Sequence, residues 1–75
     1  MDIRIRFAAN LRALRADRGY SQEALAHEAG INRSYFSKLE TGKTYAGLEI
    51  IEKLSVILKV DPADLLKPRS ARRAL

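Results

Sequence analysis

The chain has 75 residues, and this length predicts one domain with a small hydrophobic core. Its net charge of +5 is compatible with a polyanionic partner and equally with a solubilising surface. The sequence has no cysteine, which excludes disulfides and thiolate metal sites, and a single histidine cannot form a metal cluster alone. No apolar run reaches the length of a membrane span, and the N-terminus lacks the apolar core of a signal peptide, so we expect no membrane partner. We therefore expect a cytoplasmic domain that needs no cofactor.

Apolar residues recur every three or four positions near the N-terminus, and this spacing predicts a first helix. Asp2 would cap this helix, Arg18-Gly19 would end it, and its buried face would comprise Ile3, Phe7, Leu11 and Leu14. The segment MDIRIRF also alternates apolar and charged residues, as a short strand does. The helix is favoured because the wider spacing continues past Phe7, and Ile5 then lies off the core face.

Two short helices follow, joined by a tight turn at Gly30-Ile31. Ser21 and Asn32 are suitable N-caps for them, and Gly30 and Gly42 are suitable ends. The residues expected to face inward are Leu25, Ala26, Ala29, Phe36 and Leu39. The pair is a candidate helix-turn-helix, although any small helical bundle contains similar pairs.

The second half of the chain predicts a loop, a fourth helix and a short final helix. Residues 43–47 form the loop, and the apolar stripe of the fourth helix comprises Leu48, Ile51, Leu54 and Leu58. Asp61-Pro62 combines a cap with proline at the first helical position, so residues 63–66 should form a short turn. We expect a domain over residues 1–67 and a basic, disordered tail over residues 68–75.

The segment SQEALAHEAGINRSYFSKLETGK, residues 21–43, strongly resembles the DNA-binding domains of the phage repressor and Cro type, the XRE-like family. The matching residues are Ser21-Gln22, Leu25-Ala26, Ala29-Gly30-Ile31, Phe36, Leu39-Glu40 and Gly42-Lys43. The segment LEIIEKLSVILKVDPADLL, residues 48–66, resembles the family's fourth and fifth helices. The resemblance implies an all-α, compact five-helix domain of the lambda-repressor type whose third helix enters the DNA major groove.

The predicted recognition helix, about Arg33–Glu40, has one apolar and one polar face. Phe36 and Leu39 supply the buried face, and the candidates for base contacts are Arg33, Ser34, Tyr35, Ser37 and Lys38. Arg33 and Lys38 can donate hydrogen bonds to guanine, with phosphate contact or a solvated charge as the alternative. Tyr35 lies at the edge of this face, where it either contacts DNA or packs against its own bundle.

The resemblance also implies contacts with the DNA backbone on both sides of this helix. Ser21 and Gln22 occupy the N-terminus of the second helix, where free N–H groups favour phosphate. The remaining candidates for phosphate contact are Asn32, Thr41, Lys43, Thr44 and Tyr45. Ser21 caps its helix whether or not it also binds a phosphate.

Two further features concern charge. The resemblance implies a semi-buried ion pair between Arg15 on the first helix and Glu40 at the end of the third, with two solvated charges as the alternative. His27 is interpreted as a plain surface residue, because no nucleophile surrounds it and no carboxylates are paired for catalysis. We therefore do not expect an enzyme.

The chain departs from the family pattern at two places. The family usually has Pro near position 46 and a Ser or Thr cap near position 47, whereas this chain has Tyr45-Ala46-Gly47. This departure puts the rigidity of the loop in question. Lys59 replaces a Gly that usually follows the fourth helix, so a left-handed backbone there would carry strain of about 1 kcal/mol.

These features predict a bacterial or phage transcriptional regulator that binds a palindromic operator as a homodimer, because one module contacts few base pairs. Repression is the commoner outcome in the family, and activation, as in controller proteins of restriction-modification systems, is the variant. The candidates for the dimer interface are Ile50, Val56, Ile57, Leu65 and Leu66, unless they belong to a wide core face. The alternative function is an antitoxin or another protein-interaction module. No small-molecule ligand is expected.

Overall fold

The computed structural model describes residues 2–68 as a bundle of four α-helices and a closing 3-10 helix. The α-helices are α1 (Ile3–Asp17), α2 (Gln22–Ala29), α3 (Arg33–Glu40) and α4 (Leu48–Leu58), and the 3-10 helix is Pro62–Leu65. No strand occurs in this range, so the all-α prediction is confirmed and the strand interpretation of MDIRIRF is wrong. The expected fifth helix is the 3-10 turn. The tail predicted for residues 68–75 lies, apart from Pro68, outside the described residues.

Local side chains set the helix boundaries as predicted. Asp2 accepts a hydrogen bond from the Arg4 backbone N–H, and Ser21 and Asn32 accept similar bonds at the starts of α2 and α3. Asp61 and Asp64 form a reciprocal capping box at the 3-10 helix. These caps satisfy backbone N–H groups that have no partner within their own helix.

Lys59 ends α4 with φ +60°, and it is the one non-glycine residue with positive φ among residues 2–68. The left-handed conformation expected at this position is therefore confirmed. Its backbone N–H donates to the Ser55 and Val56 carbonyls, which closes the helix as a glycine usually does.

The core is one cluster to which all four α-helices and the 3-10 helix contribute. Its members are Phe7, Leu11, Leu25, Ala26, Ala29, Ile31, Phe36, Leu39, Ile51, Leu54, Leu58 and Leu65. Leu65 is fully buried, so its prediction as a dimer-interface residue is wrong: the 3-10 turn directs this side chain into the core. Leu48, expected in the core stripe of α4, is instead 84% exposed at the rim of the bundle, beside Pro62 and Ala63.

Polar side chains of α1 and of its C-cap residue, Arg18, bind the C-terminal elements to the bundle. The amide of the buried Asn10 donates to the Leu65 carbonyl at 3.0 Å and to the Lys67 carbonyl at 2.8 Å. Arg18 Nε donates to the Leu58 carbonyl, the last of α4, at 2.7 Å. Because these bonds satisfy helix-end carbonyls, α1 serves as the scaffold on which the other elements are placed.

Candidate nucleic-acid interface

The α3 helix presents its apolar side to the bundle and its polar side to solvent. Phe36 and Leu39 are fully buried, whereas Arg33, Ser34 and Lys38 are exposed. This separation follows from the sequence RSYFSKLE, in which the two apolar anchors are three residues apart and therefore share one helical face. Among residues 2–68 no other helix covers the exposed side chains of the opposite face.

The exposed face of α3 forms a wall of an open groove that extends to α2 and to the loop after α3. The residues that line this groove are Gln22, Arg33, Ser34, Ser37, Lys38, Thr41 and Lys43. Three of these side chains are cationic and none is acidic. The structure therefore brings four of the predicted base-contacting residues together with three of the predicted phosphate-contacting residues.

Ser21 and Asn32 lie at the exposed starts of α2 and α3, where both act as caps. Ser21 Oγ accepts from the Ala24 N–H at 3.0 Å, and Asn32 Oδ1 accepts from the Ser34 N–H at 2.8 Å. Each cap uses the side-chain oxygen as an acceptor. The hydroxyl hydrogen of Ser21 and the amide hydrogens of Asn32 are not consumed by the cap and can be donated to an anion.

Arg15 and Glu40, which the resemblance pairs, form a semi-buried ion pair in which the carboxylate is buried and the guanidinium partly exposed. Glu40 is 1% exposed, and its Oε2 accepts from Arg15 Nε at 2.5 Å. Arg15 Nη1 also donates to the Tyr20 carbonyl, and Arg12 Nη1 donates to the Glu40 carbonyl. Two guanidinium groups of α1 thereby hold the end of α3.

Gln22 has a contact that the sequence analysis missed. Its Nε2 donates to Glu40 Oε1 at 2.7 Å, so both oxygens of the buried carboxylate have partners. The bond joins residues 18 positions apart on different helices, and no local spacing pattern identifies such a contact. Gln22 is thus both a lining residue of the groove and a partner of the ion pair.

The tyrosines of α3 and of the following loop contact each other outside the groove. The half-buried Tyr35 donates its hydroxyl to the Tyr45 carbonyl at 3.1 Å. The Tyr45 side chain is 64% exposed and lies against Arg4 of α1, and Thr44 also faces the first turn of α1. Tyr35 therefore packs on its own chain in this conformation, as one of its two interpretations proposed.

Three of the five predicted dimer-interface residues, Val56, Ile57 and Leu66, line two grooves that flank α4. Val56, which is 70% exposed, and the half-buried Ile57 line a groove with Glu28 and Lys53 between α4 and α2. On the other side of α4, toward the 3-10 helix, a second groove is lined by Leu48, Glu49, Ile51, Glu52, Pro62, Ala63 and Leu66. Ile50 is half-buried against the core.

Two other features, a metal-ion site and a membrane-spanning helix, are absent from the part of the chain that the structure describes. Within residues 2–68 no three His, Cys, Asp or Glu side chains are grouped to hold a metal ion. Across the same range, no helix has the length and apolar composition that crossing a bilayer requires.

Comparison with known proteins places this geometry in a family. The helix-turn-helix domain family matches residues 6–67. The control protein C.BamHI of Bacillus amyloliquefaciens is 41% identical over 66 residues, which are 87% of this chain and 82% of that protein.

Two solved structures share the fold. The hypothetical transcription factor NHTF from Neisseria superposes with a TM-score of 0.88 and 38% identity over 95% of this chain and 80% of its own. The restriction-modification controller protein C.AhdI from Aeromonas hydrophila gives a TM-score of 0.78 and 39% identity over 83% of this chain and 94% of its own. These relatives are regulators and not enzymes, in agreement with the sequence-based prediction. The chain belongs to the helix-turn-helix domain family.

Proposed function

We propose that the protein is a sequence-specific, DNA-binding regulator of transcription whose α3 helix enters the major groove. The observation that carries this proposal is the groove lined by α3, Gln22, Thr41 and Lys43, which is cationic, open and free of acidic side chains. A protein that recognises duplex DNA in this way needs an exposed helix that reaches base edges and, beside it, hydrogen-bond donors for phosphate. The groove offers both on one surface.

The side chains divide by chemistry into base and backbone contacts. Arg33, at the first position of α3, can donate two hydrogen bonds to guanine O6 and N7, and Lys38 can donate to the same acceptors. Ser34 and Ser37 can donate or accept and therefore discriminate less. The proposed phosphate contacts are Ser21, Gln22, Asn32, Thr41 and Lys43, which surround the exposed face of α3.

We also propose that the protein acts as a homodimer on an operator with two-fold symmetry. One recognition helix contacts few base pairs, and a two-fold dimer doubles the number that is read. We propose that the second copy binds at the groove between α4 and the 3-10 helix. This groove contains Leu48, the most exposed large apolar residue among residues 2–68. Leu66 and Ile51 continue this apolar surface.

Selection of DNA fragments from a random pool tests the proposal directly. We expect inverted repeats whose half-sites lie about one helical turn apart. Repeats of this kind would support both the DNA-binding surface and the dimer. Enrichment of a single half-site would contradict the dimer, and the absence of any enriched sequence would contradict sequence-specific binding.

A further inference from the structure

The loop after α3 lacks the features that usually stiffen it. Position 46 is not proline, and Gly47 begins α4 without a side-chain cap hydrogen bond. The same loop carries Lys43, which lines the proposed DNA-binding groove beside α3. The position of this loop therefore depends on its contacts with other elements of the bundle.

Tyr45, at the centre of this loop, is held from two sides. From α3, the Tyr35 hydroxyl donates to the Tyr45 carbonyl at 3.1 Å. From α1, the Arg4 guanidinium lies over the Tyr45 ring, with its carbon 4.8 Å from the ring centroid. A cation at this distance from an aromatic face is attracted by the ring quadrupole.

Arg4 is itself fixed by Asp2. Arg4 Nη2 donates to Asp2 Oδ2 at 2.6 Å, and Arg4 Nε lies 3.1 Å from the same oxygen and 3.2 Å from Oδ1. Asp2 Oδ1 also accepts from the Arg4 backbone N–H at 2.9 Å, which starts α1. The guanidinium is therefore anchored to the helix end and directed at the loop.

The first turn of α1 also contacts the beginning of the loop. Gly42 is buried with φ +74°, and a Cβ atom there would lie 2.6 Å from Ile5 Cδ1. Gly42 thus provides both the left-handed turn after α3 and the space that Ile5 fills. Ile5, which the helical pattern left off the core face, packs against this turn.

We propose that Arg4, fixed by Asp2, is a positioning residue for DNA binding: it holds Tyr45 and thereby orders the loop that presents Lys43 to the DNA backbone. The inference rests on the proposed function. Ordering a loop before association removes part of the entropy cost of binding. Arg4 itself is a poor phosphate ligand here, because its Nε and Nη2 already donate to the Asp2 carboxylate, whose negative charge would repel a phosphate.

The first test compares DNA affinities. Arg4→Ala should weaken binding to selected and random duplexes by the same factor, about two- to fivefold, as loss of one exposed cation–π contact implies. The salt slope of binding should not change, because no phosphate contact is lost. Arg4→Ala should also add nothing in a Tyr45→Ala background. Lys53→Ala is the matched control, since it removes the same charge from an exposed site on α4.

A fall of about one in the salt slope that Arg4→Ala also causes in a Lys43→Ala background would show that Arg4 contacts phosphate itself, and it would overturn the inference. An additional loss of affinity in the Tyr45→Ala background would overturn it as well. Circular dichroism of each variant establishes that the helices are intact.

The second test needs no DNA. Amide hydrogen exchange over residues 43–46 of the free protein should be faster in Arg4→Ala and in Asp2→Asn, which keeps the helix cap, but not in Lys53→Ala. If the wild-type protein binds DNA but exchange over residues 43–46 is unchanged in Arg4→Ala and Asp2→Asn, this inference alone would be overturned. A wild-type protein that binds no duplex would instead overturn the proposed function.

Discussion

Gln22 and Glu40 share a 2.7 Å hydrogen bond that connects a lining residue of the groove beside α3 to the ion pair of Glu40 with Arg15. Three helices meet at this one carboxylate, because Arg15 belongs to α1, Gln22 to α2 and Glu40 to α3. A buried charge is tolerated only when its hydrogen-bonding capacity is filled, and here each oxygen has a donor. The network therefore fixes α3 relative to both α1 and α2.

Arg15→Ala should destabilise the protein strongly, by about 3 kcal/mol, because the Glu40 carboxylate would stay buried without its cationic partner. Urea denaturation followed by circular dichroism measures this loss. The double variant Arg15→Met, Glu40→Gln should recover part of it, since the neutral amide oxygen still accepts from Gln22 and needs no counter-ion, while the amide N–H groups replace an acceptor that Arg15 had filled. A double variant as unstable as Arg15→Ala would contradict this account.

Lys59→Gly should stabilise the protein by about 0.5–1 kcal/mol. Lys59 has φ +60°, a left-handed conformation that costs a side chain with a Cβ atom about that much. The thermal unfolding midpoint should therefore rise by a few degrees. Lys53→Gly is the control, because a glycine inside α4 should lower the midpoint by a similar free energy. A lower midpoint for Lys59→Gly would contradict the strain argument.

The carboxyl of Asp2 provides a pH-dependent test of its pairing with Arg4. The hydrogen bond from the Arg4 guanidinium lowers the pKa of Asp2 from 3.8 to about 2, with further help from the Arg4 backbone N–H. Because the folded-state pKa is lowered, the pair stabilises the folded state above about pH 4 and is lost as the pH falls toward 2.

In Arg4→Ala the pKa of Asp2 should therefore rise toward its ordinary value, which an NMR titration of the side-chain carboxyl carbon measures. The pKa of Asp64, lowered by the hydrogen bond from Lys67, should not change and serves as the internal control. An Asp2 pKa near 2 in the variant would show that Arg4 is not its partner.

Local sequence features were sufficient to predict the helices. Caps such as Ser21 and Asn32 act within one turn, and apolar spacing reports which side of a helix is buried, so α1 to α4 follow from neighbouring residues. The polar face of α3 was predictable for the same reason. Sequence resemblance then supplied the pairing of Arg15 with Glu40, which no local rule contains.

The errors and omissions all involve contacts between elements. Leu48 matches the spacing of the α4 stripe, yet it is exposed because no element within residues 2–68 covers the first position of that helix. Leu65 lies in so short an element that helical periodicity could not indicate its direction. The contacts of Gln22 with Glu40 and of Arg4 with Tyr45 join distant segments, so only the three-dimensional structure reveals them.

Two matched substitutions test which side of α4 forms the dimer. Leu48→Glu should shift the sedimentation coefficient from dimer to monomer and weaken operator binding, because it replaces the main apolar contact by a further carboxylate beside Glu49 and Glu52 in the groove toward the 3-10 helix. Val56→Glu introduces the same charge at a comparably exposed apolar site in the groove toward α2 and should leave the dimer intact. Both sites are exposed, so neither change should unfold the protein.

The opposite result, in which Val56→Glu or Ile57→Glu dissociates the dimer and Leu48→Glu does not, would assign the interface to the groove between α2 and α4. Analytical ultracentrifugation at several protein concentrations distinguishes the two cases. A wild-type protein that remains monomeric at all of them, with and without DNA, would contradict the dimer altogether.

Arg33 and Lys43 line the same groove but should differ in what they recognise. Arg33→Ala should cost about 1–3 kcal/mol on the selected operator and relax the preference at one base position, because a bidentate contact with guanine is lost. Lys43→Ala should weaken binding to every duplex about equally and lower the salt slope by about one, because a phosphate contact is lost. Titrations of both variants against operator and random DNA at several salt concentrations separate the two roles. Equal losses on operator and random DNA for Arg33→Ala would make Arg33 a phosphate contact, and the reading of bases would then have to rest on Lys38 and the serines of α3.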